Sequence, residues 1–304
     1  MITYLRSTHY RPAIKERDAL QPGTWIRSEK PNDNEQGQLI GLGIDRDLLT
    51  DALDPHEVPR VEVEDGWTYF ITRLPATDDD FNDYTTPILF ALGKQYIITV
   101  SRDSQGRLWQ PFIDKTSAPT TQKTKLFMLM LEAITRQYQT RVASINREMR
   151  AATSDVRSLG SKDIVTLTTY ERRLNDYLDA LLPTNTAIEK LLSGKILPLH
   201  EDDADLVEDL SIEFEQLIAR CQSLLRTITN LRDSYSAVMD TQLNGAIRLL
   251  TALTLAVTAP TMTINLYSMN VPIPGQRSPF AFWIIVLVGV SISIGMTYYF
   301  LRKK

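Results

Sequence analysis

Between Leu249 and Tyr267 the chain carries no charge, yet it sets a hydroxyl or an amide every few residues: LLTALTLAVTAPTMTINLY. The polar positions are Thr251, Thr254, Thr258, Thr261, Thr263 and Asn265. On a helix, Ile247, Leu250, Thr254, Thr258, Thr261 and Asn265 share one stripe, because residues three and four apart lie on one face. None of these groups exchanges protons near neutral pH or serves as an activated nucleophile. Neutral oxygens can meet a cation or its water shell, and apolar rings near 247–250 can close a water path by dewetting. The chemistry on offer is passage rather than reaction.

A second set of groups is acidic: Glu201, Asp202, Asp203 and Asp205 after His200, then Glu208 and Asp209. Carboxylate oxygens suit a hard divalent cation. The same residues also suit the start of a long helix, where negative charge complements the dipole. Asp78, Asp79, Asp80 and Asp83 read as a loop. His9, His56 and His200 form no metal-ligand spacing, and the single Cys221 excludes an internal disulfide. The sequence has no phosphate loop, nucleophile elbow or dinucleotide turn, so no enzyme and no organic cofactor is expected. A net charge of -4 over 304 residues gives no basic face for nucleic acid.

The elements that would carry the stripe follow from length and periodicity. Phe280–Leu301 is 22 residues without a charge, enough to cross a bilayer core. Trp283 and Tyr298-Tyr299 mark its ends as an aromatic belt would, and Arg302, Lys303 and Lys304 follow on the expected cytoplasmic side. Spans at about 249–267 and 280–301 form a hairpin within a 249–304 membrane region, with both chain ends cytoplasmic. The Thr-bearing span makes sense if one stripe faces protein or a polar channel instead of lipid. Upstream, Leu210, Phe214, Leu217, Cys221, Leu224, Ile228, Leu231, Tyr235 and Val238 alternate by three and four, a coiled-coil seam. A stalk helix over 201–248 would run on into the first span, and its seam gives copies of the chain a reason to assemble. Before it, 122–157 and 161–193 read as two long helices within 121–200 that pack antiparallel with each other and with the upper stalk, with a kink or break at Pro183.

Residues 1–120 differ in character. Runs at 24–28, 67–74, 86–93 and 95–101 read as strands, Gly93-Lys94 as a hairpin turn, and 45–53 and 105–115 as helices. This is an α+β domain. MITYLRSTHYRPAIKERD lacks the apolar core of a secretory signal, so the domain is expected to stay in the cytoplasm.

Two spans cannot enclose a pathway, so passage needs several copies around an axis. Here a resemblance becomes specific. Asn244…Arg248-Leu-Leu-Thr251…Pro260…Tyr267-Ser268-Met269-Asn270, a short loop and a second span ending in Lys/Arg resembles the CorA-type magnesium transporters, which carry Tyr-Gly-Met-Asn there. Pro59-Arg60-Val61-Glu62 and Thr86-Pro87…Ile98-Thr99-Val100 also resemble that family's cytoplasmic domain. The resemblance implies a homopentameric channel in the inner or plasma membrane, opened when cytoplasmic Mg²⁺ is scarce. It implies that Asn270 forms the outer selectivity ring, with Tyr267, Ser268 and Met269 completing the filter. Continuing the helical face makes Asn265, Thr261, Thr258 and Thr254 polar rings, Leu250 and Ile247 the constriction, and Asp233 an acidic ring at the inner mouth. A regulatory Mg²⁺ site between subunits would draw on acids, first Asp209, then Glu208, Asp205, Asp203 and Asp202.

The sequence departs from the family pattern in three places. Ser268 stands for the motif glycine, Pro260 lies one residue nearer the motif, and Val271–Pro279 holds no carboxylate. Two alternatives sit beside Mg²⁺ uptake: a Zn²⁺, Co²⁺ or Ni²⁺ carrier of the ZntB branch, and a non-conducting membrane-anchored cation sensor. Missing His and Cys along the stripe argue against the first. The polar stripe argues against the second, since an anchor needs none.

Overall fold

The computed structural model describes residues 1–8, 11–78, 83–115, 118–152, 160–193, 196, 201–269 and 279–302. The chain divides into two compact units, Met1–Thr229 and Asn230–Lys304.

The first unit is built on a seven-stranded mixed sheet. In chain order the strands are β1 (Ile2–Thr8), β2 (Arg11–Glu16), β3 (Trp25–Glu29), β4 (Arg60–Glu64), β5 (Trp67–Thr77), β6 (Asp83–Leu92) and β7 (Ile97–Ser101). Their spatial order is β2-β1-β3-β7-β6-β5-β4, antiparallel throughout except for the parallel pair β3 and β7. The expected runs at 24–28, 67–74, 86–93 and 95–101 are β3, β5, β6 and β7. β1, β2 and β4 are additions to the sequence reading. β4 turns into β5 through Asp65-Gly66, both at positive φ, the two-residue turn whose twist matches a hairpin.

Helices α1 (Asp33–Gly41) and α2 (Arg46–Asp51) cover one face. Ile26, Leu39, Ile44, Leu48, Leu49, Tyr69, Ile71 and Leu89 bury together between them and the sheet. Asn32 caps α1 with a reciprocal capping box through Glu35, and Arg60 holds α2 to β4 through ion pairs with Asp51, Glu57 and Glu62. On the other face lie α3 (Gly106–Lys115), α4 (Lys123–Ala152) and α5 (Ser161–Leu192). Phe127 of α4 stands edge-on to Phe70 of β5 with centroids 5.2 Å apart, and the Thr72 and Thr184 hydroxyls meet at 2.8 Å. α5 is one helix through Pro183, so no break occurs there. Pro183 removes only the donor to the carbonyl of Asp179, an exposed residue that water can serve.

The last helix of this unit is the beginning of α6 (Glu201–Tyr267), one uninterrupted helix of 67 residues that carries the unit boundary within it. Ser211 contacts Asn185 of α5 at 3.5 Å, and Gln139 of α4 contacts Glu213 at 3.5 Å. The seam residues Leu210, Phe214, Leu217, Cys221, Leu224 and Ile228 are buried inside the single chain. The helical pair thus packs on the upper stalk as expected, and this part of the seam is taken up within the chain rather than between copies. The 3–4 spacing reports a helix that buries one stripe, and here the chain's own helices cover it. Beyond Ile228 the stripe opens: Leu231, Tyr235 and Val238 are only half-buried.

The second unit pairs the rest of α6 with α7 (Ala281–Arg302). Both helices are long and apolar enough to cross a membrane. At the end of α7, Arg302 donates to the Tyr298 hydroxyl at 2.9 Å and lies over its ring.

Candidate functional site

The expected site residues from Asp202 to Tyr267 fall on α6, Ser268 and Met269 follow its end, and α7 covers one face of it. Ala252 is 2% exposed, and Leu255, Ala256, Pro260 and Thr263 are half-buried along the same side. The facing stripe of α7 is Ile285, Gly289, Ser293 and Thr297, spaced by four, against exposed neighbours. Small residues dominate this contact because, without a hydrophobic force between helices in lipid, close backbone approach supplies the packing. A Cβ built on Gly289 would stand 3.5 Å from Cα and Cβ of Pro260.

Pro260 shapes the same contact chemically. It has no N–H, so the carbonyl of Ala256, four residues earlier, loses its helical donor. The Ser293 hydroxyl donates to that carbonyl at 2.8 Å. In a bilayer an unmet carbonyl is costly, and this one is met from the second span. The sequence reading missed Gly289 and Ser293. Two signals could have found them: small residues four apart in an apolar span, and the orphaned acceptor that any mid-helix proline predicts.

On the far side of α6, Thr254, Thr258, Thr261 and Asn265 are exposed. Thr258, Thr261 and Asn265 line one open groove of about 560 Å³ with Val257, Met262 and Met269. Leu250 and Ile247, 64% and 53% exposed, continue the stripe below. The hydroxyls of Thr254 and Thr261 donate to the carbonyls of Leu250 and Val257, at 2.9 and 2.7 Å. A hydroxyl has one hydrogen and two acceptor lone pairs, so these two hydroxyls are left with acceptors only toward the groove, and the Asn265 amide adds a carbonyl oxygen beside its N–H donors. Such a surface can take hydrogen bonds from the water around a cation.

α6 ends at Tyr267. Ser268 N–H donates back to the carbonyl of Ile264 at 3.1 Å, and its hydroxyl to the carbonyl of Asn265 at 2.9 Å. Ser268 is not among the residues at positive φ. The serine therefore closes the helix end without the backbone freedom that a glycine would bring. Asn270 lies outside the described residues, as do the side chains of Tyr267 and Asp202.

The acidic residues separate. Asp203 is 8% exposed, whereas Asp205, Glu208 and Asp209 lie on the solvent side of α6. Among the described residues no three His, Cys, Asp or Glu side chains gather in a metal-holding group. Asp233 is exposed on α6 in the second unit.

Known proteins align with nearly the whole chain. The sequence profile described as CorA-like Mg²⁺ transporter protein matches residues 21–303. The cobalt/magnesium transport protein CorA of Methanocaldococcus jannaschii is 24% identical over 287 residues, 92% of this chain and 90% of that protein. The complete structure of the CorA magnesium transporter from the same organism superposes with a TM-score of 0.85 at 19% identity, covering 100% of this chain and 98% of that one. The full-length CmaX protein superposes with a TM-score of 0.77 at 17% identity, covering 99% and 97%. The α+β domain, long helix and apolar hairpin expected from the sequence are the fold of these structures.

Proposed function

This chain belongs to the CorA-like Mg²⁺ transporter family, membrane proteins that move divalent cations and are not enzymes, and from that premise we propose that it is a passive Mg²⁺ uptake channel. The observation that carries the reading is the open stripe of Thr254, Thr258, Thr261 and Asn265, on the side of α6 that α7 leaves uncovered. Five copies with α6 inside and α7 outside place that stripe on a common axis. Mg²⁺ gives up its water reluctantly, so the ion passes with its shell held by neutral oxygens rather than stripped by carboxylates. Leu250 and Ile247 form the narrow apolar rings that shut the path by dewetting, and Asp233 concentrates cations at the inner mouth. Asn270 forms the outer ring, with Tyr267, Ser268 and Met269 setting its frame.

The proposed sensing site needs acids from neighbouring copies. Asp209 with Glu208 and Asp205 faces away from its own chain, available to a ligand held between subunits. Asp203, turned inward, has a structural place in this scheme. Cytoplasmic Mg²⁺ bound there holds the stalks together and the apolar rings closed. Ion flux into proteoliposomes, compared for Mg²⁺, Co²⁺, Ni²⁺ and Zn²⁺, tests the reading. The expected result is Mg²⁺ entry that Asn270→Ala slows or makes unselective. Entry of no divalent ion, or an Ala variant with unchanged selectivity, would contradict it.

A further inference from the structure

At the outer edge of the sheet, β1, β2 and the loop after them enclose a cleft of about 920 Å³. Three cations line it, Arg6, Lys15 and Arg17, against one carboxylate, Asp18. Their placement follows from the hairpin register. Arg6 pairs directly with Lys15, and the bond from Arg17 N–H to the Tyr4 carbonyl brings Arg17 onto the same face. Like charges set directly opposite on two strands repel. None of the three cations has an ion-pair partner among the described residues. Arg6 donates from Nη1 to Gln21 Oε1, while its Nε–H is closed off from water and has no acceptor. An unmet buried donor is costly, and a small guanidinium rotation that offers it to an anion in the cleft removes that cost.

We propose that this cleft binds a small phosphate-bearing polyanion. The net of two positive charges suits a dianion or polyanion better than a single carboxylate, and a guanidinium fork matches phosphate oxygens two at a time. The lining holds no aromatic ring on which a base could stack, so recognition is of phosphate oxygen and not of a nucleoside. The volume is ample for two or three linked phosphates.

The test is titration of inorganic pyrophosphate against the full chain in phosphatidylcholine nanodiscs, free of divalent cations, followed by calorimetry and thermal melting. Wild type should bind, and Lys15→Gln or Arg6→Gln should weaken binding by about tenfold or more, as expected for a lost charge-assisted contact. The same variants should melt no lower than wild type without pyrophosphate, since each relieves the Arg6–Lys15 repulsion. Lys15 is exposed, so its variant answers even if Arg6→Gln folds poorly. Repeating the titration in nanodiscs with anionic phospholipid separates the sources. Loss of pyrophosphate binding there identifies a lipid headgroup as the occupant; unchanged binding identifies a free anion. No binding to wild type, or equal binding to wild type and both variants, overturns the site.

Discussion

Ser293 on the second span donates a 2.8 Å hydrogen bond to the carbonyl of Ala256 on the first, the acceptor that Pro260 leaves without a helical donor. One residue on α7 thus completes the backbone of α6 at the point where its own sequence interrupts it. The bond also fixes which side of α6 is closed, and so which side is open.

Removing that hydroxyl should weaken the hairpin by about 0.6 kcal/mol, the average measured for hydrogen bonds between membrane helices, and by no more than about 1.7 kcal/mol. The cost should nearly vanish in a Pro260→Ala background, where the new Ala N–H takes the Ala256 carbonyl. A double-mutant cycle on unfolding in detergent measures this, with Ser293→Thr as the variant that keeps the bond. Equal costs for Ser293→Ala in both backgrounds would show that the pairing is incidental.

Gly289 sets how near the spans come. A single added carbon would rest at ordinary contact distance from Pro260, so Gly289→Ala should leave the melting temperature nearly unchanged. Gly289→Leu should lower it clearly, because the larger side chain forces the helices apart. A Leu variant as stable as wild type would place the contact elsewhere.

The buried seam makes a prediction about which interactions it serves. Phe214 is 1% exposed within one chain, so Phe214→Ala should cost about 3–5 kcal/mol of stability, as a truncated core aromatic does. The mass of the assembly should not change if the chain still folds. Dissociation into monomers without a loss of chain stability would restore the seam to the interface between copies.

Cys221 lies in that seam, and burial pushes its thiol up to about 12. Thiolate is the reactive form, so at pH 8 the folded protein should stay unmodified by a disulfide reagent for hours. One equivalent should react at once in denaturant. Fast labelling of the native protein would mean that this part of α6 opens.

Much of this architecture was legible from the chain. The apolar runs of β5, β6 and β7, the long periodic helices and the two uncharged spans each carry one clear pattern over their length. β4 escaped because RVEVE is half exposed on an edge, although Asp65-Gly66 after it is a strong hairpin signal. β2, RPAIKE, is an edge strand with a proline and a single large apolar residue, Ile14. α1 was readable only from its capping box at Asn32 and Glu35. The seam shows the limit of periodicity: it reveals that a stripe is covered and says nothing of what covers it. The polar face of α6 was visible as a stripe, but its openness depends on Gly289 and Ser293, whose roles appear only when the two spans are packed.

The central claim is that Mg²⁺ passes along the stripe of α6 opposite α7. Initial Mg²⁺ uptake into proteoliposomes tests it most directly, comparing wild type with Thr258→Leu/Thr261→Leu and with Ile294→Leu on the exposed side of α7. The account predicts that the double variant loses about tenfold or more of the flux, since apolar rings replace oxygens that hold the ion's water. Ile294→Leu should conduct as wild type does, with the same assembly mass in all three. Undiminished flux through the double variant would contradict the account.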